Sequence, residues 1–274
     1  MNPMHRLLLA ALLSLAMITS TRAAPPEGEP PETAAKTLVA AAGDARLLLL
    51  GEMHGTREIP RLVAHVVEHY AAEGPVLLGL EIPGSGQPHL RRYLDSAGTD
   101  ADRAALLATP FWNVQGDQHD GRRSHDVIDL IEQVRQLRAQ GRDVSLLAYD
   151  AEPGRRIDGN QRDRIMAARV RASFNALPRG RLLVLTGNVH AKLVRPDDAP
   201  PQMQVPMGHW LSDLGPWSVD IQGFRGAHWA CMFGGCGKRL QNPWRRQSGP
   251  LKDDEHHYRL MLDRFTVARL VGAP

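Results

Sequence analysis

Four short polar segments of this chain follow apolar runs and carry residue types that perform acid–base chemistry. They are Gly51-Glu-Met-His-Gly55, Glu81, Asp150 with Glu152, and Gly187-Asn-Val-His190. A histidine is a competent general base near neutral pH because its usual pKa is about 6.5, and an adjacent carboxylate fixes its tautomer and stabilises the imidazolium that forms. The pattern therefore predicts a catalytic set made of Glu52, His54, Glu81 and His190.

The two histidines are expected to have different roles. We predict that His54 deprotonates water, with Glu52 or Glu81 orienting its ring. His190 would stabilise an oxyanion or protonate the leaving group, as well-placed hydrogen-bond donors do. Two histidines and a carboxylate can also hold a divalent metal with an open position for water, and His54, Glu81 and His190 are the possible ligands. The sequence leaves both interpretations open.

Five further residues are predicted to contact substrate. They are Trp112, Asn113, Asp150, Arg162 and Asn188. Trp112 and Asn113 lie in a long segment, residues 96–121, whose length favours a lid over a tight turn. Arg162 could reach an anionic substrate group or Glu81, or form a surface ion pair with Asp158 or Asp163.

Other charged residues are interpreted as surface groups. Arg122 and Arg123 are expected to be solvated loop charges, followed by Ser124 as a helix cap. His65 and His69 stand four residues apart on one helical face, as metal ligands can, but they lie mid-helix and are assigned to the surface.

Four continuous apolar runs are typical of strands that are covered on both faces. They cover residues 46–50, 76–80, 144–149 and 181–185, and segments with helical spacing separate them, among them 158–176. This alternation predicts an α/β fold, a mostly parallel sheet flanked by helices, whose ligands bind beyond the carboxyl ends of the strands. Short added strands are expected in the C-terminal region, at residues 202–205, 217–224 and 265–271.

The amino terminus has the features of a cleavable secretory signal. Arg6 precedes an apolar run from Leu7 to Ile18, and Ala23 offers the small residue at which a signal peptidase cuts. We therefore predict a signal peptide at residues 1–23, a flexible Pro- and Glu-rich leader at 24–35 and one domain at 36–274. The product would be periplasmic or secreted, and no apolar run reaches the roughly 20 residues of a membrane span.

The net charge bears on a nucleic-acid partner, and the cysteines bear on a disulfide or a metal site. The formal charge of +3 falls to +1 when Arg6 and Arg22 leave with the signal, so the charge gives no reason to expect a nucleic-acid partner. The two cysteines, Cys231 and Cys236, favour a small disulfide ring in an oxidising compartment. The alternative is a metal site completed by His228 or His209.

The same residues carry a family resemblance. The segments are Leu50-Gly-Glu-Met-His-Gly55, Leu80-Glu81, Arg162-Asp163 and Thr186-Gly-Asn-Val-His-Ala191. Together they resemble the superfamily that contains erythromycin esterases, ChaN-like haem-binding lipoproteins, TraB/pheromone-shutdown proteins and Tiki metalloproteases. The resemblance runs from about Arg46 to Lys192, roughly half of the chain.

The resemblance implies different functions by branch. In the esterase branch, residues placed like Glu52, His54, Glu81 and His190 form a metal-free site in which a histidine activates water. The Tiki branch is linked to a metal-dependent peptidase, and the ChaN-like branch binds haem. This chain lacks a cysteine for a lipid anchor and a Cys-x-x-Cys-His motif for covalent haem, which disfavours the haem branch.

We therefore expect an exported protein that hydrolyses an ester or amide of a small molecule or peptide. The alternative is a protein that binds haem or another iron ligand without turnover, and a third possibility is a catalytically silent scaffold. The cofactor, a divalent metal, haem or none, stays open.

Overall fold

A computed structural model of the chain describes residues 28–113, 119–153, 157–197, 199, 205–232, 235–241 and 247–272. The predicted signal peptide lies outside these residues, as does the first part of the predicted leader. Among the described residues, no helix combines the length and the apolar character that crossing a bilayer requires.

One sheet of eight strands organises the molecule, in the order β3-β2-β4-β1-β5-β8-β7 with β6 paired to β5. All pairs from β3 across to β8 are parallel, whereas β7 on β8 and β6 on β5 are antiparallel. The strands are β1 Leu47–Glu52, β2 Val76–Pro83, β3 Val144–Asp150, β4 Arg181–Gly187, β5 Trp217–Met232, β6 Gly235–Leu240, β7 Gly249–Pro250 and β8 Tyr258–Phe265.

Helices cover both faces of this sheet. They are α1 Pro31–Ala42, α2 Glu58–Glu73, α3 Gln87–Leu94, α4 Asp100–Leu107, α5 His125–Ala139, α6 Gly159–Asn175 and α7 Met207–Trp210. The larger apolar core lies between the sheet and α1 to α5, and a smaller one lies under α6 and α7. The predicted α/β fold, with a mostly parallel sheet and added C-terminal strands, is confirmed.

The strands form where the apolar runs predicted them, and they run on to the polar residues that follow. Leu47 to Leu50 in β1 are almost fully buried, as expected of a strand covered on both faces. β1 continues to Glu52, β3 to Asp150 and β4 to Gly187. The polar residues therefore stand in or directly after the last hydrogen-bonded positions of the strands, where the sheet fixes their backbone.

The ordered chain begins earlier than the sequence indicated. Helix α1 starts at Pro31, inside the segment predicted to be a flexible leader, and Glu29 already hydrogen bonds to β8. Proline suits the first turn of a helix, and Ala34, Ala35 and Leu38 form the buried face. Because alanine is small, this face lacked the large apolar side chains that mark an amphipathic helix.

The last strands also differ from the prediction. β5 extends to Met232 instead of ending at Phe224, and the final strand is β8, not the predicted 265–271 run. Beyond Phe265 the chain makes only single bridges, from Val267 and Leu270. Charged residues interrupt the apolar run of β8, so the sequence pattern did not indicate a strand there. Pairing with β5 nevertheless buries the centre of β8. Most of the strand predicted at 202–205 lies outside the described residues.

Candidate active site

Acidic and histidine side chains converge at the carboxyl ends of four neighbouring parallel strands, β3, β2, β4 and β1. Glu52 ends β1, Glu81 lies near the end of β2, Asp150 ends β3, and His190 stands three residues after β4. Since β3, β2, β4 and β1 are consecutive neighbours in the sheet, these residues share one edge. The structure therefore brings together the four residues predicted as catalytic.

Glu52 and His54 form a hydrogen-bonded pair. The distance from His54 Nδ1 to Glu52 Oε1 is 2.9 Å, and the His54 side chain is 22% exposed, whereas Glu52 is buried. Burial lowers the pKa of His54, but the charge and hydrogen bond of Glu52 and the charge of Glu81 together outweigh burial, so the pKa is raised above 6.5. With the Nδ1 proton donated to Glu52, the lone pair of the neutral ring lies on Nε2, where a base needs it.

The ring of His54 packs against the backbone of β4. A Cβ at Gly187 would lie 3.0 Å from His54 Nε2, and the Gly187 N–H donates to Glu81 Oε2 at 2.9 Å. A side chain at this position would press on the imidazole. The glycine of the second Gly-x-x-His segment therefore makes room for the histidine of the first.

Glu81 is the buried centre of the cluster. Its Oε2 accepts hydrogen bonds from Thr186 and Gly187, and lies 3.8 Å from His54 Nε2, beyond hydrogen-bond distance. Its Oε1 accepts from Arg122 and Arg162. Burial alone would raise the pKa of Glu81, but Arg122, His54 and the other neighbouring cations hold it well below its usual value. Glu81 is therefore a carboxylate that positions two arginines, and it has no proton to give.

Asp150 binds the same two arginines. Arg162 donates to both of its carboxylate oxygens, at 2.8 and 2.9 Å, and Arg122 donates to Oδ2 at 2.8 Å. The Arg122 guanidinium also donates to Asp120. The prediction that Arg122 is a solvated loop charge is wrong. For Arg162, the alternative in which it pairs with Glu81 is the one that forms.

His190 is held between an acid and an arginine. Its Nδ1 lies 2.8 Å from Asp163 Oδ1, and its Nε2 lies 3.0 Å from Arg162. Because arginine can only donate, His190 Nε2 must accept, and the ring proton must therefore lie on Nδ1, donated to Asp163. Asp163 is fully buried and also accepts the backbone N–H of Met207 at 2.7 Å, so its proposed role in a surface ion pair is wrong.

The predicted metal set does not suit a cation. Arg122 and Arg162 lie within hydrogen-bond distance of Glu81 or His190 and would repel a divalent ion there. Among the described residues, no group of three or more His, Cys, Asp and Glu side chains is arranged to hold a metal. The Nε2 atom of His190, through which it would ligate haem iron, faces Arg162 instead.

A cavity of about 460 Å³ adjoins the arginine pair. Its charged lining consists of Arg122, Arg123, Asp150, Glu152 and Arg162, and its other polar residues are Ser85, His89 and Thr109. The remaining wall is largely apolar and includes Pro83, Pro110, Phe111, Ala151, Pro153 and Ile157. His54 and Glu52 do not line this cavity.

Only some of the predicted substrate-binding residues line the cavity. Asp150 and Arg162 line the cavity, whereas Trp112, only 2% exposed, packs in the core, so its assignment to the pocket wall is wrong. Its neighbour Phe111 takes that place, because the turn after α4 directs the two adjacent rings differently. Asn113 is exposed and Asn188 is half-buried, and neither lines the cavity.

Outside the cluster, the structure supports two further predictions. Cys231 and Cys236 form a disulfide across the β5–β6 hairpin, which removes the alternative of a metal site with His228 or His209. His65 and His69 are exposed on α2 and pair with Glu68 and Glu73, as expected of surface groups.

Comparisons with known proteins give the fold. No family model and no curated protein sequence matches the chain. Among solved structures, the erythromycin esterase mutant EreC H289N in its open conformation matches at a TM-score of 0.64 and 12% identity, covering 86% of this chain and 95% of its own. A Bacillus cereus protein matches at 0.59 and 14% identity, covering 80% and 76% of the two chains.

A third match is ChaN of Campylobacter jejuni with cofacially bound haem, at a TM-score of 0.41 and 10% identity, covering 82% of this chain and 90% of its own. This similarity is too low to support an inference about ligands. At identities of this order the likeness to solved structures describes the backbone alone. The chain therefore has the erythromycin esterase fold, in agreement with the superfamily resemblance of its motifs.

Proposed function

We propose that this chain is a hydrolase in which His54 activates water against an ester or amide of a small molecule or peptide. The observation that carries the proposal is the Glu52–His54 pair, whose imidazole is partly exposed whereas Glu52, Glu81 and His190 are buried. Because His54 Nδ1 donates to Glu52, the lone pair of the ring lies on Nε2, on the side of Gly187 and Glu81. The fold shared with an esterase is compatible with this chemistry but does not by itself assign it.

In the proposed reaction, His54 Nε2 takes a proton from water while the water oxygen bonds to the substrate carbonyl carbon. The Nδ1–H of the imidazolium stays hydrogen bonded to Glu52, which stabilises its positive charge. The carbonyl π electrons move to oxygen, and the carbon–leaving-group bond breaks as the carbonyl re-forms. His54 then returns the proton to the departing alkoxide or amine, so that acid and alcohol or amine leave.

The two arginines are the groups best placed to stabilise the oxyanion. Arg122 and Arg162 are held rigidly by Glu81 and Asp150, and such preorganised charges need no reorganisation during the reaction. This assignment replaces the predicted role of His190, whose Nε2 accepts from Arg162 and has no proton to donate in that arrangement. His190 instead positions Arg162.

The cavity supports a substrate with an apolar group beside the scissile bond. Its volume, about 460 Å³, lies in the range of small-molecule sites. It is lined by apolar residues, among them Phe111, Pro110 and Ile157, and by the guanidinium groups of Arg122 and Arg162. An apolar acyl or alcohol group would fill the cavity while its carbonyl oxygen lies near the guanidinium groups.

The test is hydrolysis of a panel of nitrophenyl esters and peptide anilides by the wild-type chain and two histidine variants. His54→Ala is expected to lower kcat by at least about 100-fold, the usual contribution of a general base. His65→Ala, on the exposed face of α2, is the matched control and should leave kcat unchanged. No turnover by wild type, or equal turnover by His54→Ala, would reject the proposal.

The same preparation tests the binding alternative. A Soret band on adding haem that His54→Ala or His190→Ala abolishes, in the absence of any hydrolysis, would favour a haem-binding protein. A metal-dependent peptidase would lose activity on chelation and regain it with a divalent ion, whereas the arginine-filled site predicts no response to chelators.

We also propose that the chain is exported. The predicted signal peptide and the Cys231–Cys236 disulfide both suit an oxidising compartment outside the cytoplasm. Amino-terminal sequencing of the mature protein tests this, with a first residue near Ala24 as the expected result. A mature chain that retains Met1 would contradict it.

A further inference from the structure

The carboxyl-terminal part of β5 leaves the main sheet as a hairpin. Up to residue 226, β5 pairs with β8, whereas residues 227–232 pair only with β6, residues 235–240. β6 is largely exposed, and its burial adds little apolar contact. Because an isolated two-stranded hairpin is marginally stable in water, this one needs additional anchors.

Trp229 anchors the hairpin to two loops of the candidate site. Its backbone N–H donates to the carbonyl of Gly55 at 3.1 Å, and its indole N–H donates to the carbonyl of His119 at 2.5 Å. Gly55 directly follows His54, and His119 precedes Arg122 by three residues. One residue therefore connects the loop of the candidate base to the loop of a candidate oxyanion group.

The packing around this residue is close enough to exclude side chains. A Cβ at Gly55 would lie 2.3 Å from the carbonyl oxygen of Trp229, and one at Gly121 would lie 2.5 Å from the same atom. Both glycines also have positive φ, +69° and +91°, which other residues rarely adopt. The Trp229 carbonyl thus packs against both the residue after His54 and the residue before Arg122, which also lie against each other.

The disulfide joins the two strands of the hairpin two residues beyond Trp229. Cys231 and Cys236 are cross-strand partners in the β5–β6 register and are covalently joined. A bond at this point restricts the separation of the two strands and thereby the withdrawal of Trp229. Cys231 is exposed, so a reductant can reach the bond.

We propose that Trp229, held by the Cys231–Cys236 disulfide, is a positioning residue that fixes His54 relative to Arg122. The inference rests on the proposed function of His54, since it assigns a catalytic consequence to the placement of that ring. It predicts that reduction of the disulfide moves the His54 and Arg122 loops apart without unfolding the sheet.

The experiment compares oxidised and reduced wild type with Trp229→Phe, using the small ester that wild type hydrolyses. Dithiothreitol cleaves the disulfide to two thiols and is itself oxidised to its cyclic disulfide, and a thiol titration of two per chain confirms complete reduction. We expect kcat to fall about tenfold or more in both cases, because small misplacements of catalytic groups are costly, while KM changes little. Cys231→Ser/Cys236→Ser should be as slow as reduced wild type and insensitive to dithiothreitol.

Trp217→Phe is the matched control, because Trp217 begins the same strand and its ring lies beside that of Tyr258, with the centroids 6.1 Å apart. It should retain the wild-type kcat. A loss of kcat equal to that of Trp229→Phe would indicate a general effect of the strand and overturn the proposal, as would full kcat in the reduced wild type.

A second readout does not depend on turnover. The NMR titration of His54 is sensitive to its contact with Glu52, so its midpoint should shift when the disulfide is reduced, whereas that of the exposed His65 should not. If wild type hydrolyses nothing, the proposed function fails but this titration still tests the positioning. An unchanged His54 midpoint in fully reduced protein would overturn the inference.

Discussion

Replacing Asp163 by alanine should destabilise the fold far more than the loss of an exposed carboxylate would. Asp163 is fully buried in α6, and its Oδ1 accepts two hydrogen bonds, from the Met207 N–H at 2.7 Å and from His190 Nδ1 at 2.8 Å. Alanine removes the acceptor and leaves both donors buried. Among the described residues, Asp163 is the one side chain that accepts these two hydrogen bonds.

The magnitude follows from the two orphaned donors. Each unsatisfied buried donor costs about 1–3 kcal/mol, so the substitution should reduce the free energy of unfolding by about 2–6 kcal/mol. The control is Asp158→Ala, which removes an exposed N-cap carboxylate of the same helix and should cost about 1 kcal/mol.

Urea denaturation at neutral pH, followed by circular dichroism, measures both variants against wild type. The reasoning also predicts that Asp163→Ala lowers kcat, because the His190 ring and the Arg162 guanidinium it holds lose their fixed orientation. Asp163→Asn, which keeps an acceptor oxygen, should recover much of the stability. A free-energy loss for Asp163→Ala no larger than that for Asp158→Ala would refute the buried-donor account.

Four further predictions concern the base, the cavity and the core. The general base must be neutral, so kcat/KM should rise with pH through the raised pKa of His54, and Glu52→Gln should move this rise to lower pH; an unmoved or upward-shifted profile would contradict it. Because the folded-state pKa of His54 is raised, the stability that Glu52 gives should be largest below pH 6.5 and disappear as pH rises through that pKa, which urea midpoints of wild type and Glu52→Gln can test. Phe111→Ala should raise KM for a bulky apolar ester about tenfold, roughly the ~1.4 kcal/mol of one or two lost methylene equivalents, with KM for an acetate ester as the unchanged reference. Trp112→Ala should cost about 3–5 kcal/mol in urea denaturation, since that ring packs in the core; equal effects of Phe111→Ala and Trp112→Ala on KM would contradict the assignment of only Phe111 to the cavity.

The residues that the sequence located correctly stand at strand ends. The apolar runs before Glu52, Glu81 and Asp150 are local signals, and parallel strands place their carboxyl ends on one edge without further information. The two Gly-x-x-His segments follow two such strands directly. Local patterns were therefore sufficient to predict the fold class and to assemble the four central residues.

Arg122 and Asp163 were missed because their placement depends on distant contacts. Arg122 stands in a loop whose path is set by Trp229, more than 100 residues away in sequence. Asp163 lies one turn into a polar helix whose other acid, Asp158, is exposed. Nothing in the local sequence distinguishes a buried arginine or aspartate from a solvated one, because the compensating partner comes from another segment.

Local sequence patterns also could not predict which of Phe111 and Trp112 lines the cavity. The two rings are adjacent in sequence and pack edge to face, yet one lines the cavity and the other fills the core. Which ring turns inward depends on the exact turn after α4. A sequence can indicate that an aromatic pair packs a loop, but the backbone turn decides which member meets a ligand.

The carbonyl of Gly55 accepts backbone hydrogen bonds from both Trp229 and Ala268, and β1 pairs directly with β5. The loop that carries His54 thus makes its backbone contacts with Trp229 and Ala268, which are synthesised long after it. A chain that emerges amino terminus first therefore cannot complete the backbone contacts of the His54 loop until Ala268 has emerged.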